Sequence, residues 1–581
     1  MIKNKVSVIV GGEAGAGITR SGFLFAKACL RGGLHVFGAN DYQSLIRGGH
    51  NFYIVRVDAE NIYSQRDTID LLVALNRETI LLHKKELVPG GGIVYDGEDI
   101  AVDAETLGRD DLKLYSVPLR RLVKELDGEL IMRNTVALGA AVALLDYDLE
   151  ILNDVIEDTF KPKVAASNVK AAKMGYDYAR DRYATDFEYK LEKTRAAGKR
   201  NIFVTGGEAV GLGAIRAGCK FYVAYPMTPA TPLLHFMAPL DRERDLIVIQ
   251  PESEIAAINM AAGASFAGAR AMTATSGGGF CLMSEGLGMT GMTETPVVIM
   301  LAQRPGPSTG LPTYSGQADL RFVIHASQGE FPRVVIAPGD VEDCFYRTIE
   351  AFNLAEKFQI PVILVTDKYL VESHGESAPF DQNRIGIDRG LLSTGEQYTA
   401  KEEYKRHKFT EDGISPRAIP GMRGAIVRTN ADEHDERGYT TEDPELATRM
   451  TDKRFKKLDA LISELANYET TKIYGPEKGE ATIIAWGSTK GPIREAMKLL
   501  GEEGLKVNYL QIVFLTPFPT AKVKKVLKSA RKTIVVENNK TSQLSSLIRE
   551  HLLMPVDHQI LKYDGRPFDP GELSKRIKAV L

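Results

Sequence analysis

The chain is poor in cysteine, and none of its cysteines is paired in the sequence. Its 581 residues contain four, at Cys29, Cys219, Cys281 and Cys344, with no CxxC spacing. Structural zinc sites and iron–sulfur clusters need several thiolates brought together by such spacing. We therefore expect no metal site in this chain, and we expect free thiols in a reducing cytoplasm.

The sequence also lacks a long apolar run and an excess of charge of either sign. The apolar stretch that begins at Val6 ends at Gly11, which is too soon for a signal or membrane segment. Lysine and arginine number 73 and aspartate and glutamate 76, for a net charge of −3. No nucleic acid or membrane partner is expected, and the expected location is cytoplasmic.

The length and the alternation of apolar and amphipathic segments predict an α/β protein of three doubly wound units. The first begins with the strand Val6–Val10 and a glycine turn, and a charged stretch precedes the second. The expected divisions are 1–185, a linker 186–200, 201–380, an extended connecting region 381–475, and 476–581.

The glycine turn Gly12–Gly17 has the spacing G-x-x-G-x-G. A dinucleotide-binding fingerprint requires G-x-G-x-x-G, so a nicotinamide cofactor is not expected here. The turn is better explained by tight backbone geometry at the start of a helix.

Three polar motifs on an apolar background predict a ligand site. They are Tyr225–Pro229, Gln250–Glu254 and Gln303–Thr309, and each follows a predicted strand. Open α/β sheets bind their ligands at the carboxyl ends of the strands. Thr275–Gly279 also ends a predicted strand and presents bare backbone, so it belongs with the same site.

Glu254 has two interpretations. Ser253 could cap the following helix, with acidic residues favoured in its first turn. Alternatively, the Glu254 carboxylate lies beside a ring nitrogen of a buried heterocycle and shares a proton with it, as an aminopyrimidine cofactor requires. The neighbouring motifs favour the second interpretation and indicate half of a thiamine diphosphate site.

Two further side chains suit a substrate rather than a cofactor. Arg304 lies between an apolar strand and a proline-rich loop, where its guanidinium suits bidentate capture of a carboxylate, although a structural ion pair is the alternative. Thr228 lies between two prolines that stiffen its backbone. In contrast, the run Asp432–Glu436 cannot converge on one metal ion, because adjacent residues point in different directions, and a solvated loop is expected there.

These motifs resemble the α subunit of 2-oxoacid:ferredoxin oxidoreductases of the 2-oxoglutarate synthase type. The carrying residues are Tyr225–Pro229, Ser253-Glu254, Thr275–Gly279 and Gln303–Thr313. The N-terminal segment resembles that family's γ domain, fused here to the α subunit. Further similar motifs extend the resemblance over nearly the whole chain: Ile46–His50, Arg133–Thr135, Gly329–Arg333, Ala351–Lys357, Val536–Asn538 and Tyr563–Pro567.

The resemblance implies a γ-type domain, a pyrimidine-binding domain and a transketolase C-terminal-like domain. It implies CoA-dependent oxidative decarboxylation of a 2-oxoacid to acyl-CoA and CO2, with electrons passed to ferredoxin. Glu254 would bind the aminopyrimidine nitrogen, Arg304 would hold the substrate carboxylate, and Thr228 would bond near the reacting carbonyl. The other cofactor contacts implied are Tyr225, Pro226, Thr275, Ser276 and Gly277.

Two departures from the family pattern concern the site. Met227 and Ala230 flank Thr228 and Pro229 in a loop whose sequence in relatives is Tyr-Pro-Ile-Thr-Pro-Ser. Gln328 stands where many relatives have histidine. The chain also lacks the Gly-Asp-Gly motif that holds the Mg²⁺ diphosphate in this enzyme class. The resemblance therefore implies a β subunit that supplies the diphosphate site and a [4Fe-4S] cluster, in a heterodimer or an α2β2 complex.

Two alternatives remain open from the sequence. One is a subunit of a non-redox thiamine diphosphate enzyme, which shares the role of Glu254. The other is a scaffold subunit that has kept the fold without catalysis. The favoured substrate is 2-oxoglutarate, with a broad range of 2-oxoacids as the wider expectation.

Overall fold

The structure is a computed structural model that describes residues 2–45, 48–183, 186–194, 201–241, 243, 245–393 and 403–581. Part of the motif Ile46–His50, namely Ile46 and Arg47, lies outside these residues, as does much of the expected linker 186–200. The chain divides into two compact units. The first comprises the chain up to Val204 with Ser373–Pro379 and Asp569–Leu573, and the second comprises the rest.

Strands and helices alternate from the N-terminus. The strands up to residue 194 are β1 (Ile2–Lys3), β2 (Lys5–Glu13), β3 (His35–Tyr42), β4 (His50–Asp58), β5 (Ile69–Ala74), β6 (Leu87–Tyr95), β7 (Lys113–Ser116) and β8 (Tyr189–Lys190). The helices are α1 (Ile18–Arg31), α2 (Arg77–His83), α3 (Ala104–Leu107), α4 (Leu119–Glu125), α5 (Arg133–Leu144), α6 (Leu149–Thr159) and α7 (Pro162–Tyr183).

The same alternation continues from residue 202 to residue 377. The strands are β9 (Ile202–Thr205), β10 (Phe221–Val223), β11 (Ile247–Ile249), β12 (Ala271–Thr275), β13 (Val297–Gln303), β14 (Val334–Ile336), β15 (Pro361–Asp367) and β16 (His374–Ser377). The helices are α8 (Gly206–Arg216), α9 (Thr231–Met237), α10 (Glu254–Phe266), α11 (Gly277–Met292), α12 (Leu320–His325), α13 (Val341–Phe358) and α14 (Lys368–Glu372).

The C-terminal part begins with a long helix and ends with a further α/β segment. Its elements are α15 (Pro444–Glu464), β17 (Thr471–Tyr474), β18 (Ala481–Ala485), α16 (Lys490–Glu502), β19 (Val507–Ile512), β20 (Phe514–Thr516), α17 (Thr520–Ser529), β21 (Thr533–Glu537), α18 (Gln543–Leu552), β22 (His558–Leu561) and α19 (Pro570–Lys578). Short 3-10 turns occur at Leu130–Met132, Ala238–Leu240, Leu465–Asn467 and Gly487–Thr489.

The first unit is built on an eight-stranded sheet of order β7-β6-β5-β2-β4-β3-β16-β9. β7, β6, β5 and β2 run parallel, whereas β4 is antiparallel to both β2 and β3. β2 is longer than the strand expected from sequence, because Gly11, Gly12 and Glu13 still pair with β4. The turn into α1 therefore occupies only the last part of the glycine segment.

The second unit contains two sheets. The seven-stranded sheet has the order β11-β10-β12-β13-β15-β14-β20, in which only β20 is antiparallel to its neighbour. The five-stranded sheet has the order β17-β19-β18-β21-β22, with β17 antiparallel at its edge. The α/β class predicted from the sequence is thus confirmed: the seven- and five-stranded sheets are largely parallel, whereas the eight-stranded sheet combines a parallel half with antiparallel pairs at β4, β3 and β16.

The connecting region contains more regular structure than its polar composition indicated. Asp443 caps α15 through a hydrogen bond from the Leu446 amide, and Pro444 occupies the first turn, where it costs no hydrogen bond. Glu433 pairs with Arg454, and His434 is fully buried. The run Asp432–Glu436 is therefore partly enclosed rather than a fully solvated loop.

Candidate active site in the second unit

The four motifs meet because of the strand order in the seven-stranded sheet. β11, β10, β12 and β13 are consecutive and parallel, so their carboxyl ends lie along one edge. Tyr225–Pro229 follows β10, Gln250–Glu254 follows β11, Thr275–Gly279 follows β12, and Gln303–Thr309 follows β13. The predicted ligand site thus lies at a single sheet edge, as parallel α/β topology favours.

Glu254 is the first residue of α10 and is buried. The Ser253 hydroxyl caps the helix by accepting a hydrogen bond of 3.2 Å from the Ala256 amide. The cap is therefore provided by Ser253, and the Glu254 carboxylate makes no hydrogen bond with the described residues. A buried carboxylate without a donor is suited to hydrogen-bonding a ligand.

Gly279 lies directly against this carboxylate. A Cβ at residue 279 would overlap with the Thr275 hydroxyl and would lie 2.5 Å from Glu254 Oε1. Thr275 in turn approaches the Met227 sulfur at 3.8 Å. The loops after β10, β11 and β12 are therefore in contact, and only a residue without a side chain fits between them.

The beginning of α11 offers further polar groups. Ser276 occupies the N-cap position but makes no capping hydrogen bond, and its buried hydroxyl has no partner among the described residues. Gly277 and Gly278 follow without side chains, so that backbone N–H groups at the helix start stay accessible to a flat or anionic ligand. Tyr225 lies at the same edge with 39% of its surface exposed.

Arg304 is buried, with one described hydrogen bond, from its Nη1 to the Thr228 carbonyl oxygen at 2.7 Å. A guanidinium carries five N–H donors, so most of its hydrogen-bonding capacity is unused by the described residues. Burial lowers the pKa of Arg304, and the charge of Asp319 opposes that shift. The side chain is positioned to hold an anion, and the structural ion pair considered from the sequence is not formed by the described residues.

Gln303 and Asp319 lie near Arg304, and of these two only Gln303 was named from the sequence, as the start of a motif. The Gln303 side chain donates to the Thr366 carbonyl at 3.1 Å and accepts from the Asp319 amide at 3.0 Å. Burial raises the pKa of Asp319 to about 6, and Arg304 opposes the rise. Asp319 precedes α12, six residues after the motif Gln303–Thr313 ends, and no motif includes it.

Ala230 and Gln328, two of the residues that depart from the family pattern, differ in burial. Ala230 is buried and its amide donates to the Met227 carbonyl at 2.8 Å, which closes the turn after Thr228. Gln328 is exposed, and its side-chain oxygen accepts from Ser327 at 3.2 Å. Ala230 thus shapes the loop that carries Thr228, whereas Gln328 is available to solvent.

The thiamine diphosphate expected from the sequence can be tested against these residues. The buried Glu254 carboxylate, which has no described hydrogen-bond donor, and the unpartnered Ser276 hydroxyl fit the polar ring of an aminopyrimidine. No group of three or more potential metal ligands occurs among the residues that the structure describes. No helix within the described ranges is long and apolar enough to span a membrane.

Family models match three parts of the chain. Residues 212–453 match the thiamine diphosphate-binding region of pyruvate flavodoxin/ferredoxin oxidoreductases. Residues 7–178 match the pyruvate ferredoxin/flavodoxin oxidoreductase model, and residues 479–573 match core domain II of pyruvate:ferredoxin oxidoreductase. The site described above, from Tyr225 to Asp319, lies wholly within the thiamine diphosphate-binding match.

Several known proteins are similar over most of their length. The α subunit of 2-oxoacid:ferredoxin oxidoreductase 2 from Aeropyrum pernix is 33% identical over 99% of this chain and 98% of its own length. The 2-oxoglutarate synthase subunit KorA from Methanothermobacter thermautotrophicus is 34% identical over 64% of this chain and 97% of its own.

A solved structure agrees over the whole chain. It is the 2-oxoglutarate:ferredoxin oxidoreductase from Magnetococcus marinus with 2-oxoglutarate, coenzyme A and succinyl-CoA bound, which is 36% identical over 99% of each chain with a TM-score of 0.89. The fold and site thus define a thiamine diphosphate-dependent oxidoreductase subunit. The chain belongs to the 2-oxoacid:ferredoxin oxidoreductase family.

Proposed function

We propose that this chain is the α subunit, with a fused γ-type domain, of an enzyme that oxidatively decarboxylates a 2-oxoacid to acyl-CoA and CO2 and reduces ferredoxin. The observation that carries the proposal is the buried Arg304, whose guanidinium has one hydrogen bond among the described residues, at the sheet edge that also carries the buried Glu254. 2-Oxoglutarate is the favoured substrate, because the similar structure from Magnetococcus marinus contains it.

Different residues of this chain act on the cofactor and on the substrate. Thiamine diphosphate, when bound, supplies the nucleophilic carbon and the electron sink that decarboxylation requires. The Glu254 carboxylate would exchange a proton with the pyrimidine ring, and the backbone that begins α11 at Gly277–Gly279, with the unpartnered Ser276 hydroxyl, would contact the cofactor. Arg304 holds the carboxylate of the 2-oxoacid, and Thr228, bonded to Arg304 through its carbonyl, places its hydroxyl near the keto oxygen.

The remaining parts of the site are assigned to a partner. The α-subunit names of the relatives support a β partner. We propose that this partner carries the Mg²⁺ diphosphate site and a [4Fe-4S] cluster, because the described residues of this chain hold no group of three or more metal ligands. We propose an αβ or α2β2 complex in the cytoplasm that delivers electrons singly to ferredoxin. Coenzyme A, the second substrate, accepts the acyl group.

The decisive experiment is to co-produce this chain with its β partner and to measure CoA-dependent viologen reduction over a panel of 2-oxoacids. Arg304→Ala should lower kcat/KM by at least about a hundredfold, the scale of an electrostatic group at a reacting centre. Arg384→Ala, which removes an exposed arginine paired with Glu342, is the matched control and should leave kcat/KM unchanged.

Each alternative predicts a different result. A scaffold subunit predicts that the Arg304 variant retains full turnover in the complex. A non-redox thiamine diphosphate enzyme predicts that no 2-oxoacid supports viologen reduction, although the cofactor binds. Either result would refute the proposed function.

A further inference from the structure

Asp319 is held near Arg304, the residue proposed to bind the substrate carboxylate, by a hydrogen bond from its backbone. Its amide donates to the side chain of Gln303, the residue that precedes Arg304. The other end of the Gln303 amide is fixed on the Thr366 carbonyl in the neighbouring strand β15. Asp319 and Arg304 are therefore anchored to the same sheet edge, and neither can move away without breaking this bridge.

The carboxyl group of Asp319 is enclosed and incompletely bonded. Its Oδ2 is buried without a hydrogen-bond partner among the described residues. It packs on Gly277 at the start of α11, where a Cβ would overlap with Oδ2. A buried, unpartnered carboxylate oxygen is costly, so a ligand or a proton must offset the cost.

Asp319 and Arg304 interact through charge rather than through a direct hydrogen bond. The Arg304 guanidinium donates to Thr228 and not to Asp319. Burial raises the pKa of the Asp319 carboxyl, and the positive charge of Arg304 partly opposes that rise. When a 2-oxoacid carboxylate binds Arg304, two anionic groups share one cation in a poorly solvated place. Like charges so arranged cannot both ionise freely.

We propose that Asp319 sets the affinity of the site for the 2-oxoacid by taking up a proton from solvent when the substrate carboxylate binds Arg304. The inference rests on the proposed role of Arg304 in the function given above. Asp319 acts through Arg304 and is therefore a positioning residue. The ionised Asp319 carboxylate weakens binding of the 2-oxoacid, and the neutral carboxyl group permits that binding.

The electrostatic surroundings of Asp319 support this assignment. Burial raises its pKa to about 6, so that a modest further push protonates the group near neutral pH. The other charged or titratable groups on the elements around it are Arg304 after β13, Cys281 and Glu285 on α11, Glu254 on α10, Arg321 and His325 on α12, and Arg549, Glu550 and His551 on α18, of which Glu550 pairs with Arg321. Of these, Arg304 is the cation whose charge acts on Asp319.

The direction of the pH effect follows from the raised pKa. Below about pH 6 Asp319 is neutral in the free enzyme, and above it the group is ionised. Substrate binding to the ionised form must include proton uptake, so kcat/KM for the 2-oxoacid should fall as pH rises through that range. The KM, rather than kcat, should carry most of the change.

The test uses the complete complex with Asp319→Asn, which keeps the shape of the side chain and cannot ionise. We expect its KM for the 2-oxoacid at alkaline pH to be lower than that of the wild type by about three- to tenfold, as removal of one partly screened like charge implies. The fall in kcat/KM with pH should disappear. Asp245→Asn, at an exposed aspartate paired with Lys220, should behave as the wild type does.

A binding measurement keeps the test independent of turnover and of the variant's folding. Glutarate, which has carboxylates but no keto group, is titrated into the wild-type complex in buffers of different ionisation enthalpy. Net proton uptake near pH 7 supports the proposal, and no uptake overturns it. An Asp319→Asn complex whose KM rises and keeps the wild-type pH profile also overturns it.

Failure of this inference is distinguishable from failure of the proposed function. If the wild-type complex oxidises no 2-oxoacid, the proposed function is wrong. If the wild type is active but glutarate binds without proton uptake, only the role of Asp319 is wrong.

Discussion

At the scale of single residues, the site depends on which side chain caps the helix α10. The sequence Ser253-Glu254 is compatible with an ordinary helix start, and the structure does show Ser253 as the cap of α10. Because the cap is provided by Ser253, Glu254 is left buried without a hydrogen bond to the described residues. Helix capping therefore occupies Ser253 and leaves the Glu254 carboxylate free for the cofactor contact that we propose.

Replacing Glu254 by glutamine tests the proton-exchanging role that we assign to it. Glutamine keeps the size of the side chain but cannot exchange a proton, so we expect turnover to fall at least about a hundredfold. The matched control is Glu252→Gln, at an exposed carboxylate two residues earlier, which should retain wild-type turnover. Equal turnover of both variants in the viologen assay would contradict the role of Glu254.

Gly279 gives a second residue-scale prediction. A Cβ there would overlap with Thr275 and press on Glu254, so Gly279→Ala should lower both turnover and the thermal unfolding midpoint. Gly263→Ala is the control, because nothing lies within 4 Å of a Cβ at that site in α10. Alanine there should stabilise the helix by about 0.5–1 kcal/mol. Similar losses at both sites would show that the Gly279 contact is unimportant.

At the scale of elements, the helix α15 of the connecting region is anchored by a buried carboxylate. Glu294, which follows α11, is bonded by Lys453 at 2.6 Å, by Lys457, and by His407 at 2.9 Å. The two lysines project from α15, so this helix is tied to the end of α11. These cations hold the pKa of Glu294 well below its ordinary value, against the effect of burial.

Glu294→Gln should destabilise the second unit strongly. It leaves two buried lysine charges without a counter-ion, and breaking such a pair costs about 3–5 kcal/mol. Because the pKa of Glu294 is lowered in the folded state, its contribution is present above the unfolded carboxyl pKa and is lost as the pH falls toward the folded value. Thermal unfolding at several pH values measures both effects.

The control for this substitution is Glu285→Gln, at an exposed glutamate of α11. It should change the unfolding midpoint little, because surface charges contribute little to stability. A Glu294 variant as stable as this control would show that the cluster is not an anchor for α15.

At the scale of the whole molecule, each unit uses strands that come from distant parts of the sequence. The sheet of the first unit includes β16, and Tyr53 shares a hydrogen bond of 2.8 Å with His374 of that strand. The seven-stranded sheet of the second unit ends in β20, which pairs antiparallel with β14. The sequence intervals between such partners are long, so no local pattern indicates these pairings.

A prediction at this scale concerns cofactor affinity. The described residues offer polar groups for the pyrimidine end, such as Glu254 and Ser276, and no group of three or more metal ligands. The isolated chain should therefore bind thiamine diphosphate with Mg²⁺ at least about a hundredfold more weakly than the complex with its partner, a difference of about 2.7 kcal/mol. Calorimetry on both samples tests this, and equal affinity would contradict the shared site.

The sequence alone determined the α/β class, the strand ends that carry the site, and the family. It could do so because apolar runs and the glycine, proline and charged residues that follow them act locally, within one strand and its loop. Glu254, Arg304 and Thr275 were predicted in this way, and the structure places all three at one sheet edge.

Only the tertiary structure decided which polar groups are buried without partners and which residues meet across elements. Asp319 approaches Gly277 and Arg304 because its amide is bonded to the Gln303 side chain at the end of β13, and Glu294 meets Lys453 because α15 returns to the end of α11. Such contacts depend on packing between segments far apart in the chain. No periodicity or motif in the sequence records them, because burial and charge interaction belong to the folded arrangement.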